Sequence, residues 1–137
     1  MKPLFQSIVI FALTASLCAQ QAPRIIEILA DKDSRFKISG NAHAPLVLTA
    51  GETLILRITA IKARDIDREG SVHGLVLVDK KGEKVSGWSL QLKPETRDYQ
   101  LLAPSDPGEY QILCNVICSQ DHEGMRLKVK VLPANPT

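Results

Sequence analysis

"EYQILCNVICSQDHEGMRLKVKVLP", residues 109–133, reads as strand, loop, strand. "EYQILC" is an extended run, and "RLKVKVLP" alternates polar and apolar residues with a period of two, the mark of a strand with one buried face. Between them, Cys114 to Met125 places two cysteines, a histidine and a methionine within twelve residues. Two thiols, an imidazole and a thioether on one short β-to-β connection set the question that the rest of the chain has to answer.

Working outward, the same short-strand grammar recurs. "PRIIEILA" (23–30) is β-branched and apolar, and "RFKIS" (35–39) is a second short extended piece. "LVLTAGETLILRITA" (46–60) holds two extended runs about a turn at Ala50–Glu52. "VHGLVLVD" (72–79), "GWSLQL" (87–92) and "DYQLLAP" (98–104) add three strands, with turns expected at "KKGEK", "KPET" and "SDPG". "IKARDIDREGS" (61–71) is charged and does not alternate, so it reads as a loop insertion. Seven or eight short strands at regular intervals, without a helical stretch of ten residues beyond the N-terminus, predict an all-β sandwich or barrel.

The chain has 137 residues, enough for one domain with its own core. A net charge of +2 and the lack of a glycine-rich phosphate loop argue against nucleic acid and nucleotides as partners. Residues 1–19 have the order of a secretory signal peptide: Lys2, an apolar run from Ile8 to Leu17, then small residues ending at Ala19. That run is too short for a comfortable membrane span. Cys18 raises lipidation, but bulky Leu17 before it disfavours that, so ordinary cleavage is expected. Residues 20–137 then form the exported domain, with Cys114 and Cys118 as its only cysteines.

In an oxidising compartment two cysteines suggest a disulfide. Four positions apart on an extended strand, their Cα atoms would be roughly 13 Å apart, whereas a disulfide needs about 4.4–6.8 Å. The segment must turn for the sulfurs to meet, in a disulfide or around a metal alike. The neighbours discriminate. His122 and Met125 have no part in a structural disulfide, whereas thiolate, thioether and imidazole together suit copper. Zinc rarely takes methionine, and its usual Cys-x2-Cys units are missing. Of the two other histidines, His73 opens a strand and is preferred as a ligand over His43, which sits in a loop bounded by Gly40 and Pro45. Trp88 reads as a packing residue.

The spacing Cys-x3-Cys-x3-His-x2-Met resembles that of the copper A (CuA) domain of cytochrome c oxidase subunit II and of the C-terminal domain of nitrous oxide reductase. "VHG" resembles that family's first ligand histidine, and "LVLTAGETLILRIT" the cupredoxin segment before it. The likeness spans about residues 24–132. It implies a cupredoxin-like Greek-key sandwich and two copper ions bridged by Cys114 and Cys118. His73 and His122 would each bind one copper, with Met125 and the Val116 carbonyl as weak ligands. Val116 stands where subunit II often has glutamate, Ser119 stands where glycine is common, and residues 61–71 lengthen the approach to His73.

The resemblance implies an exported, periplasmic or otherwise extracytoplasmic, single-electron carrier between a cytochrome c-type donor and an oxidase or reductase acceptor. It would be an electron-transfer protein on its own, or a subunit II-like component of a larger oxidoreductase. Membrane association would come through a partner or a retained N-terminal segment. The competing readings are a Cu(I)-binding delivery protein without redox turnover and a metal-free β-sandwich interaction module.

Overall fold

The computed structural model describes residues 22–135, so the expected signal peptide and Cys18 lie outside the described residues. Nine strands follow in order: β1 (Arg24–Ala30), β2 (Phe36–Lys37), β3 (Leu46–Thr49), β4 (Thr53–Ala60), β5 (His73–Val78), β6 (Lys84–Leu92), β7 (Thr96–Leu102), β8 (Gly108–Leu113) and β9 (Arg126–Leu132). A single 3-10 turn, His122–Gly124, interrupts them among the described residues. The expected all-β sandwich is what forms.

The strands divide into a four-stranded sheet, β2-β1-β4-β7, and a five-stranded sheet, β3-β9-β8-β5-β6. Alternation in the sequence sets the packing. Leu54, Leu56 and Ile58 of β4 point inward while Ile55, Arg57 and Thr59 are only partly covered. Leu127, Val129 and Val131 of β9 do the same from the opposite sheet, with Arg126, Lys128 and Lys130 exposed. Each fully buried leucine or isoleucine contributes about 1.5–3 kcal/mol, so the register that keeps these faces inward is strongly specified.

β3 and β4 are joined by only three residues yet belong to different sheets. The turn between them carries Gly51 at φ 71°, a left-handed conformation that costs glycine least. Its backbone is tied to both sheets, through Ala50 N–H to the Leu132 carbonyl (2.8 Å) and Gly51 N–H to the Pro104 carbonyl (3.1 Å). This corner lets β1 pair with β4 and β3 with β9 in parallel.

Four boundaries differ clearly from the sequence expectation. β7 runs Thr96–Leu102, starting inside the expected "KPET" turn. β2 is only two residues long, because Ser39 (φ 51°) and Gly40 (φ 77°) turn the chain at once. β8 starts at Gly108, inside the expected "SDPG" turn. β6 starts at Lys84 instead of Gly87, because it bulges: Val76–Val78 of β5 is matched by Lys84–Ser89 of β6, so two steps on one strand face five on the other. Gly87 supplies the positive φ (80°) for that bulge. It turns Trp88 into the core, 1% exposed, with Nε1–H donating to the Leu102 carbonyl at 2.8 Å.

Candidate metal centre

β8 hands the chain to the cysteine loop, and the loop returns it to β9. The β8–β9 ladder ends at Leu113 and Arg126 but continues by one more bond, Cys114 N–H to the Met125 carbonyl at 3.2 Å. Cys114 and Met125 are therefore opposed at the mouth of the hairpin, and Met125 is fully buried. On the other side β8 pairs with β5, Val76 facing Leu113. Carried on, that register puts the cysteine loop beside the start of β5, where His73 lies.

Here the structure gathers three donors. His73, Cys114 and Cys118 place one ligand atom each within 4.8 Å of one another. The two sulfurs are 3.7 Å apart, and both cysteines are free and buried. Cys114 Sγ also lies 3.1 Å from the Val116 carbonyl, which faces it from inside the loop, and 3.4 Å from the Gly74 N–H, which donates to it.

The orientation of His73 is fixed. Its ring is wholly buried, and Nε2 sits 2.7 Å from the Ile61 carbonyl. A carbonyl only accepts, so Nε2 carries the proton and Nδ1 is left with a lone pair. Nδ1 is buried and has no partner within the protein. A buried acceptor left without a partner costs about 1–3 kcal/mol, and a soft metal held by the neighbouring thiolates would remove that cost. The carbonyl behind the ring is the arrangement that orients metal-binding histidines.

Residues 61–71 give this insertion a structural role that its composition did not reveal. Ile61 supplies the carbonyl that orients His73. The N–H groups of Arg64 and Asp65 both donate to the Cys118 carbonyl, at 3.2 and 3.0 Å. The insertion thus clamps the histidine and the second cysteine from one side. From the other, Ser34, in the β1–β2 turn, reaches Cys118 Sγ at 3.9 Å and Ser119 Oγ at 2.6 Å.

The two thiols are electrostatically unequal. Burial pushes Cys114 up, but hydrogen bonding at its sulfur, from the Gly74 and Val116 backbone among others, outweighs it and holds Cys114 below the ordinary thiol range. Burial pushes Cys118 up too, and the charge and hydrogen bond of Cys114 add to that. Cys114 therefore ionises more readily than Cys118, and a cation bound between them would favour both thiolates.

The remaining expected residues are placed as follows. His122 opens the 3-10 turn and is half-buried, but its ring is outside the three-donor cluster; Nδ1 lies 3.1 Å from the Ser119 carbonyl and donates to it. Asp121 and Glu123 beside it are exposed. His43 is exposed in the β2–β3 loop, away from the cluster. The carbonyl of Ile61, the N–H groups of Arg64 and Asp65, and Ser34 escaped sequence reasoning, since backbone groups and a lone serine some eighty residues upstream leave no spacing signal.

The donor set fits copper. Two cysteine sulfurs, a histidine ring nitrogen and a carbonyl come together at one buried place, with a buried methionine backbone-paired to the first cysteine.

No family model matches the chain, and no curated protein matches it either. Solved structures do. Auracyanin A, a "blue" copper protein from the green thermophilic photosynthetic bacterium Chloroflexus aurantiacus, superimposes with a TM-score of 0.55 at 19% identity, over 81% of this chain and all of that one. The copper protein rusticyanin gives 0.53 at 14% identity, over 81% of this chain and 80% of that one. A chain of a heme-copper terminal oxidase dimer gives 0.51 at 16% identity, over 88% of this chain and 76% of that one. At these identities the likeness establishes the fold: this is a cupredoxin-like β-sandwich.

Proposed function

We propose that the protein is an extracytoplasmic copper-binding electron carrier with a CuA-type dinuclear centre. The observation that carries this reading is the buried convergence of a His73 ring nitrogen, Cys114 Sγ and Cys118 Sγ within 4.8 Å, with His73 oriented by Ile61 through Nε2 and left without a partner at Nδ1. Cys114 and Cys118 would bridge two coppers, His73 and His122 would hold one each, and Met125 and the Val116 carbonyl would be weak ligands. When bound, the pair supplies a one-electron couple spread over two metals and two sulfurs.

The chain's own part is to stay still. Strand β5, the β8–β9 hairpin and the hydrogen-bonded 61–71 segment hold the donors from three sides, so that an electron could arrive and leave with little movement of the ligands. The scaffold shuts water out of the sulfurs, since Cys114 is 9% exposed and Cys118 is wholly buried. A c-type cytochrome as donor and an oxidase or reductase as acceptor belong to the same proposal, as does a leader that exports the chain.

One observation favours a second reading. His122 lies outside the donor cluster, its Nδ1–H engaged by Ser119. A Cu(I)-delivery protein would need only Cys114, Cys118 and Met125 and could leave His122 there. Titrating the reduced, purified mature domain with copper separates the two. Two coppers per chain, with rapid and reversible one-electron exchange with a c-type cytochrome, support the carrier. One EPR-silent Cu(I) per chain, transferable to a chelator and without electron exchange, supports delivery. No uptake of copper removes both.

A further inference from the structure

Ser34 is the feature that neither the fold nor the ligand set requires. It is 2% exposed and adopts φ 56°, a left-handed conformation in which glycine is the residue of least cost. The turn that holds it is built: Asp31 N–H donates to the Arg35 carbonyl (3.0 Å), Ser34 N–H to the Asp31 carbonyl (3.1 Å), and Lys37 binds both Asp31 (2.7 Å) and Asp33 (2.6 Å). A glycine would relieve the backbone. What the serine adds is a hydroxyl that the turn presents to Ser119 and Cys118.

That hydroxyl belongs to a chain with only one consistent direction. Asp121 N–H donates to Ser119 Oγ at 3.1 Å. Ser119 Oγ and Ser34 Oγ are 2.6 Å apart. Ser34 Oγ is 3.9 Å from Cys118 Sγ, at the far end of what a sulfur acceptor allows. A Cys118 thiolate that binds metal has no proton to give, so the proton on the last link must come from Ser34. Ser34 Oγ must then accept from Ser119, whose oxygen is already an acceptor for Asp121. Each hydroxyl donates once, and the series ends on the sulfur.

Resting on the copper reading above, we propose that Ser34 and Ser119 are a pair of positioning residues whose aligned hydroxyls fix the Cys118 thiolate and withdraw electron density from it, raising the reduction potential of the centre. The physical basis is that a hydrogen bond to a ligating sulfur stabilises the more electron-rich, reduced state. Both serines are needed: without Ser119, Ser34 is free to turn its proton elsewhere.

The test is potentiometry of the copper-loaded protein with Ser34→Gly, Ser119→Ala and the double substitution. Ser34→Gly keeps the turn, because glycine tolerates φ 56°. Each single substitution should shift the oxidised-to-reduced ratio at a fixed solution potential about tenfold toward oxidised, equivalent to about 59 mV in a one-electron couple. The sulfur-to-copper charge-transfer band should move with it. The double substitution should add little, since either change breaks the same series. In the metal-free protein the two changes should likewise be non-additive in thermal denaturation. Copper-loaded variants with the wild-type potential and band overturn this proposal and leave the copper reading standing. Additive shifts overturn the pairing. A wild-type protein that takes up no copper overturns both readings.

Discussion

Gly74 lies so close to Asn115 that a Cβ built on it would collide with Asn115 Oδ1 and come within 2.9 Å of Val116 Cγ2. The second residue of β5 is thus the surface on which the cysteine loop rests, and its N–H is also a donor to Cys114 Sγ. Gly74→Ala should push the loop outward, at a cost of about 1–3 kcal/mol in the metal-free protein. Copper content should fall with it. Adding Asn115→Ala, which withdraws the colliding oxygen, should restore part of both. Thermal denaturation and metal analysis check this, and no rescue by Asn115→Ala would place the strain elsewhere.

His73 and His43 should behave as opposites. His73→Ala removes the buried ring and leaves the Ile61 carbonyl without its donor, so the metal-free protein should lose about 1–3 kcal/mol and copper binding should weaken sharply. His43 is exposed, and only its backbone N–H is engaged, with Asn41 Oδ1. His43→Ala should leave melting temperature and copper content unchanged. Equal losses from both would contradict the assignment.

Much of this was legible in the sequence, and the limits of legibility are physical. Alternation in β4 and β9 gave strands and faces, because burial of one face enforces a period of two. The cysteine loop gave its chemistry, because its donors are local in the chain. What stayed hidden depends on contacts across long separations. The clamp of residues 61–71 on Cys118 acts through backbone N–H groups that any residue supplies. The β6 bulge is a matter of register with β5, and Gly87 read as a strand start instead of a kink within one. Ser34 meets its sulfur across 84 positions of sequence, through a turn whose positive φ nothing in residues 31–34 announces.

Acid should loosen the turn that presents Ser34. The hydrogen bond from Lys37 holds the Asp31 carboxyl below its ordinary range, outweighing burial. A carboxyl depressed in the folded state contributes stability that is present above its unfolded value of about 4 and is lost as pH falls through the lowered one. Metal-free protein should therefore melt lower as pH drops below about 4. Asp31→Asn should flatten that part of the profile. A profile identical to wild type would show that the Lys37 pair adds nothing to stability.

Met125 should tune the centre more than hold it. Met125→Leu keeps most of the volume of a fully buried side chain, and such swaps usually cost under about 1.5 kcal/mol. Fold and copper content should persist, while the reduction potential should rise, because the thioether favours oxidised copper more than a hydrocarbon does. A shift of about 30 mV in a one-electron couple corresponds to about 0.7 kcal/mol, well within reach of voltammetry. An unchanged potential and spectrum would make Met125 a packing residue.

Cys114 and Cys118, whose sulfurs stand 3.7 Å apart, are proposed to bridge two coppers into one redox unit. The most direct measurement is EPR of the copper-reconstituted mature domain alongside its metal content. Two coppers per chain with one unpaired electron shared equally between them are expected, with that sharing lost in Cys118→Ser. A single copper per chain, or a Cys118→Ser protein that still holds two coppers with shared spin, would contradict it.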